Sequence, residues 1–106
     1  VRVLIMVVGV LRLDIRLYEI QSLKQKRSHV NKILARLRSR YPVSVAEVGD
    51  QNLLQRTIIG LSMTAGSESQ LESVFHKVEA EIESCGFAEL LDSVVEYLHY
   101  GEDSLE

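Results

Sequence analysis

Between Val7 and Leu17 apolar and polar positions alternate, with Gly9, Leu11, Leu13, Ile15 and Leu17 on one side and Val8, Val10, Arg12, Asp14 and Arg16 on the other. A period of two with many branched residues predicts a strand that buries one face. The period then lengthens. Leu23, Val30, Ile33, Leu34, Leu37 and Tyr41 recur at helical spacing, and Ser22-Leu23-Lys24-Gln25 fits a capping box at the helix start. Tyr41-Pro42 ends this helix, because the residue before proline is pushed out of the α region. Val43 to Val48 reads as a short strand, Gly49-Asp50 as a turn, and Gln51 to Leu54 as more of the connection. Gln55 to Ala65 alternates again, with Thr57, Ile59, Leu61 and Met63 opposite Arg56, Ile58, Gly60, Ser62 and Thr64. Gly66-Ser67 breaks it, and Ser67 or Ser69 can cap a second helix with the stripe Leu71, Val74, Phe75, Val78, Ile82 and Cys85. Gly86 stands where a left-handed C-terminal glycine belongs. Phe87 to Leu98 is the last predicted strand, and the tail from Gly101 is expected to fray.

The predicted order is β-α-β-β-α-β, an α+β sandwich of the ferredoxin-like pattern: a four-stranded antiparallel sheet with two helices on one face. The first and third strands are its central neighbours. They echo each other at Val8-Gly9-Val10-Leu11 and Ile59-Gly60-Leu61-Ser62, so the paired glycines are expected where a helix or a partner comes close to the sheet. The other sheet face is left to solvent or to a partner.

At 106 residues, 46% apolar and 25% charged, residues 1–106 suit one globular domain. Cys85 has no second cysteine to pair with, which fits a reducing, cytoplasmic setting. The apolar N-terminal run is uncharged only from Val3 to Leu11, too short for the roughly 20 residues of a membrane span, and it lacks an A-x-A-like cleavage site. No membrane association is expected. Met6 is a candidate native start, with Val1–Ile5 then a vector remnant or an upstream extension.

The net charge of −3 hides an asymmetry. Eleven Lys and Arg face four acids from Val1 to Arg56, giving +7, whereas one Lys faces eleven acids from Thr57 to Glu106, giving −10. Such a layout marks either a basic surface for an anionic partner or two halves that neutralise each other. The first helix carries seven cations and no acid from Ser22 to Arg40. A ladder of Lys24, Asn31 and Arg38 against Glu83, Glu79 and Glu72 is one arrangement of the two helices. The lean of Ile33 and Val74 toward the other flank favours charged stripes that point outward instead.

The blocks Gly9-Val10-Leu11-Arg12-Leu13, Ser22-Leu23-Lys24-Gln25-Lys26-Arg27, Val43-Ser44-Val45-Ala46-Glu47-Val48 and Gln55-Arg56 resemble the YlxP-like family of small bacterial proteins, from about Met6 to the end of the second helix. That resemblance implies a ferredoxin-like domain of unknown function. It also implies genes beside those of transcription-elongation, translation-initiation and ribosome-maturation factors, hence an expected role around RNA or the ribosome. Two departures stand out. Tyr18-Glu19-Ile20-Gln21 replaces small, turn-forming residues, and Leu54 stands where relatives often carry an aromatic.

Among candidate sites, Lys24, Lys26 and Arg27 come first. Cations in a helix's first turns oppose its macrodipole, at about 0.3–1 kcal/mol each when exposed, so helix stability does not explain them. Free N–H groups with nearby cations suit an anion or phosphate. The plainer alternative is that these side chains snorkel over the core edge and pair with Glu47 or Asp14. Arg12, Arg16 and Arg56 join the list of anion- or nucleic-acid-binding candidates from the open sheet face. Arg36, Arg38 and Arg40 lie at the helix C-terminus, where cations suit the dipole. With Val8, Val10, Asp14, Ile58, Ser62 and Thr64, the open-face candidates on the central strands include no aromatic, so base stacking is not expected there. Val8, Val10 and Ile58 among charges suit self-association, and a homodimer is expected. His29, His76 and His99 lack a metal-ligand spacing, Cys85 falls on the apolar stripe, and nothing orders a catalytic triad. No metal, cofactor or enzyme activity is expected. The reading is a cytosolic binding or accessory protein, associated with RNA or the ribosome through the basic helix start, or a homo-oligomeric adaptor that uses the open sheet face.

Overall fold

The computed structural model describes residues 5–101. Six elements follow in order: β1 (Met6–Leu17), α1 (Leu23–Arg40), β2 (Ser44–Gly49), β3 (Arg56–Ala65), α2 (Glu68–Glu83) and β4 (Ala88–Tyr100). The four strands form one antiparallel sheet in the order β2-β3-β1-β4, which is the ferredoxin-like topology expected from the chain. Boundaries differ by a residue or two: β1 begins at Met6 and β4 runs on to Tyr100. The expected extension and frayed tail fall largely on residues 1–4 and 102–106, outside the described residues. Among the described residues no helix is long and apolar enough to cross a membrane.

The alternation read from β1 is the alternation that packs. Val7, Leu11, Leu13, Ile15 and Leu17 are buried under the helices, while Val10, Arg12 and Arg16 are exposed on the other side. In α1, Val30, Ile33, Leu34 and Leu37 meet this floor, and in α2 Leu71, Phe75, Val78 and Ile82 do so. Burying each such side chain contributes roughly 1.5–3 kcal/mol.

Both helices begin on a serine. The Ser22 hydroxyl accepts the Gln25 N–H at 3.1 Å, and Gln25 Oε1 accepts the N–H of Gln21 at 2.8 Å, one residue earlier than a capping box would take it. Ser67, rather than Ser69, caps α2 through the Gln70 N–H. The left-handed glycine expected at Gly86 is not found. α2 closes on Ser84 at φ −79° and ψ −12°, whose N–H donates to the Ala80 carbonyl, and Cys85 N–H donates to Ile82. These tight turns satisfy the helix end before Gly86 is reached, so its conformational freedom is unused. Left-handed backbone occurs instead at Glu19, φ 57°, and Asp50, φ 56°.

Of the two glycines of the central strands, Gly9 marks the expected close approach of a helix, whereas Gly60 is met by the neighbouring strand. A Cβ on Gly9 would lie 2.7 Å from the Phe75 ring, so α2 sits on β1 through that gap. On the opposite face, Val48 lies over Gly60, 3.2 Å from where its Cβ would be. Val48 is the extra residue of a bulge in β2, and Leu91 is that of a bulge in β4.

Candidate functional site

The end of the sheet where β1 finishes, β3 begins and α1 starts collects the predicted cations, but on two levels. Arg12, Arg16 and Arg56 stand exposed on the open sheet face, with Arg16 directly across from Arg56. Lys24 and Arg27 stand exposed on α1, in the helix layer. The sheet therefore separates the six candidates rather than gathering them into one patch.

Lys26 is placed differently again, and this corrects its expected role. Its side chain is 1% exposed. The ammonium lies 3.3 Å from Glu47 Oε2 and also donates to the Asp50 carbonyl, while Glu47 Oε2 accepts the Thr57 hydroxyl at 2.6 Å. A buried cation must be paired, and here the partners are internal: α1 is tied to the β2–β3 turn at the place where Asp50 takes its left-handed backbone. Lys26 is not available to an outside anion. The pairing with Glu47 was the alternative reading, and it is the one the geometry realises.

The cross-helix ladder also takes another form. Glu81, whose side chain is 8% exposed, receives Arg40 at 2.7 Å and Arg36 at 3.6 Å, with the Tyr41 hydroxyl at 3.3 Å. This hub was not read from the sequence. Its signal was an acid set between Val78 and Ile82 beside an apolar stripe, opposite a helix with no acids. Arg36 Nη1 also reaches Cys85 Sγ at 3.9 Å. Burial chiefly pushes the Cys85 thiol up, and the nearby guanidinium only partly opposes it, so the thiolate is disfavoured. Arg38 donates to the Val45 carbonyl at 2.9 Å.

The open sheet face itself is mixed. Val8, Val10, Val48, Ile58, Val94 and Leu98 supply apolar surface, four of them more than a third exposed. The cations Arg12, Arg16 and Arg56 are matched on the same face by Asp14, Asp92 and Glu96, with Glu89 3.9 Å from Arg16. The central strands carry no aromatic on this side; Tyr100, opposite Met6, stands at the far end of β4.

A concavity of about 310 Å³ opens between α2 and β4 over Leu11, Phe75, Val95 and Tyr97, with Glu72 and Glu79 at its rim. The Phe75 and Tyr97 rings stack with centroids 6.5 Å apart. Among the described residues no group of three or more His, Cys, Asp or Glu side chains is placed to hold a metal ion.

The family model described as a protein of unknown function, DUF503, matches residues 8–95. The chain belongs to this family. The uncharacterized protein YlxP of Bacillus subtilis strain 168 is 34% identical over 77 residues, which cover 73% of this chain and 84% of that protein. Both findings agree with the resemblance read from the four blocks. Among solved structures, the chain is similar to a dimeric ferredoxin-like protein of unknown function from Thermobifida fusca YX, with TM-score 0.48, 12% identity and coverage of 90% of this chain and 92% of that one. It is also similar to the de novo designed protein Foldit4, with TM-score 0.47, 16% identity and coverage of 90% and 96%. In this DUF503 member the Tyr18–Gln21 segment and Leu54, the positions expected to depart from the family pattern, are built into the fold. Ile20 is 2% exposed, its carbonyl accepts the Gln55 side chain, and Leu54 rests against the core.

Proposed function

We propose that this DUF503 protein is a cytosolic binding module, not a catalyst, that assembles with a second copy of itself through the open face of the sheet. The observation that carries this reading is the composition of that face. Six apolar side chains are interleaved with cations and acids in near balance, a surface that is costly to leave in water yet self-complementary in charge. Among the described residues the buried charged side chains, Lys26 and Glu81, are both consumed by internal partners, which supports a scaffold role over a catalytic one. Light scattering after size exclusion tests the proposal. Twice the chain mass is expected, falling to the single chain mass for Val10→Asp combined with Val94→Asp, with the circular dichroism of a folded chain retained because both residues are exposed in the single chain. A strict monomer across the concentration range sinks it.

A second reading has its own support. Lys24 and Arg27 are exposed at the start of α1, its first turn holds no acid, and neither residue has an ion-pair partner among the described residues. Association with RNA or the ribosome through this helix start predicts co-sedimentation that weakens steeply with salt. It also predicts a loss on Lys24→Ala with Arg27→Ala. Binding that ignores both salt and these substitutions removes this reading.

A further inference from the structure

The two edges of the sheet are treated differently. β2 is short, it is bulged at Val48, and the Val45 carbonyl is occupied by Arg38. These are devices that discourage strand addition. β4 runs for 13 residues without proline or lysine, and past its bulge at Leu91 the strand from Asp92 to Tyr100 is regular.

The direction of its free backbone groups follows from the bonds at the start of the strand. Tyr18 N–H donates to Phe87, while Leu17 N–H turns the other way, to Gln55. In an antiparallel ladder this alternates, so Asp92, Val94, Glu96 and Leu98 bond to β1. Ser93, Val95, Tyr97 and His99 present their N–H and C=O groups outward. The side chains of these same residues lie on the helix side of the sheet, and Val95 and Tyr97 form the floor of the groove beside α2.

We infer that the β4 edge accepts an extended polypeptide segment as a fifth strand, one that carries lysine or arginine at the alternate positions facing α2. The cationic stems would run over Phe75 and Tyr97 and set their charges against Glu72 and Glu79. The intervening positions, on the open side beside Val94 and Leu98, favour apolar residues. A second copy of this chain fits the edge poorly, because pairing two β4 strands about a two-fold axis brings two acidic α2 helices together. The outward backbone groups of β4 and the acids of α2 take no part in the self-association proposed for the open face, which this edge only borders at Val94 and Leu98, so either can fail alone.

The test uses the full chain and a labelled seven-residue peptide of alternating lysine and valine, read by fluorescence anisotropy. Saturable binding is expected, with a peptide carrying glutamate in place of lysine weaker by about tenfold or more. Val95→Pro removes an outward N–H without costing a bond to β1, and proline is tolerated on edges. It should weaken binding by about tenfold, a loss the size of one hydrogen bond. If Val95→Pro lowers the thermal midpoint, Glu72→Lys with Glu79→Lys provides the same test from the surface of α2. Equal binding of the two peptides, or binding unchanged in a folded variant, overturns the inference. Self-association that Val95→Pro abolishes overturns it too, in favour of a second copy at this edge.

Discussion

Lys26 shows how one residue can look functional in the sequence and be structural in the fold. An ammonium near the start of a helix is an electrostatic cost to that helix, and the cost is offset only by what Lys26 reaches on other elements. Its 1% exposure leaves it fully dependent on Glu47 and the Asp50 carbonyl. Glu47, 19% exposed, retains access to water and to Thr57. Removing each partner should therefore have unequal effects. Glu47→Ala strands a buried cation and is expected to cost about 3–5 kcal/mol. Lys26→Met keeps the volume, leaves a carboxylate that can turn to solvent, and should cost about 1–3 kcal/mol. In urea denaturation the double variant Lys26→Met with Glu47→Ala should be far more stable than the sum of the singles implies, since the two share one interaction. Additive losses would show that the pair is not coupled. The same residue marks the limit of the sequence reading. Helical spacing put Lys26 at the flank of the apolar stripe, but whether the flank opens to water depends on a strand and turn more than twenty positions later.

At the scale of elements, both sheet faces were legible because a period of two leaves no choice once one face is apolar. The β1 and β3 assignments hold at every position. Helix ends were less legible. Gly86 fits the expected C-terminal glycine by position, yet Ser84 and Cys85 close α2 with hydrogen bonds that any residue can make. Left-handed backbone falls on Glu19, in the connection from β1 to α1, and on Asp50 instead. Gly9 is the clearest case in which packing, not backbone freedom, fixes a glycine. The absent Cβ is the space occupied by the Phe75 ring, itself 3% exposed and unable to swing into solvent without leaving the core. Gly9→Ala should destabilise the chain by about 1–3 kcal/mol through overpacking. Adding Phe75→Leu should return part of that loss, because the shortened side chain vacates the contact. Thermal melts of the two singles and the double decide it: a Gly9→Ala variant as stable as the parent would mean that α2 does not rest on β1 at this point.

For the whole molecule, the basic first half and the acidic second half meet on the open sheet face, where Arg16 lies 3.9 Å from Glu89, and at Glu81, where α2 receives two arginines from α1. That hub also shapes how the fold responds to alkali. Tyr41 has its pKa raised above the ordinary 10.0 first by burial and then by the Glu81 carboxylate. Cys85 is raised above 9.0 first by burial, with Arg36 opposing. In both, the folded state holds a proton that the unfolded chain releases more readily. Their contribution to stability is therefore complete below the ordinary value and is lost as pH rises through the folded one. Urea midpoints measured from about pH 8 to about pH 11 should hold steady at first, decline once the unfolded thiol begins to ionise near pH 9, and decline further as Tyr41 follows together with Tyr18 and Tyr97, which are raised as well. Cys85→Ala should delay the onset of that decline toward the tyrosine range. Arg36→Gln should leave Cys85 more strongly shifted and steepen the early part of the fall relative to the parent. A parent midpoint that is flat through pH 10, or an onset that Cys85→Ala does not move, would place the alkaline sensitivity outside the α1–α2 contact and remove Cys85 as its first element.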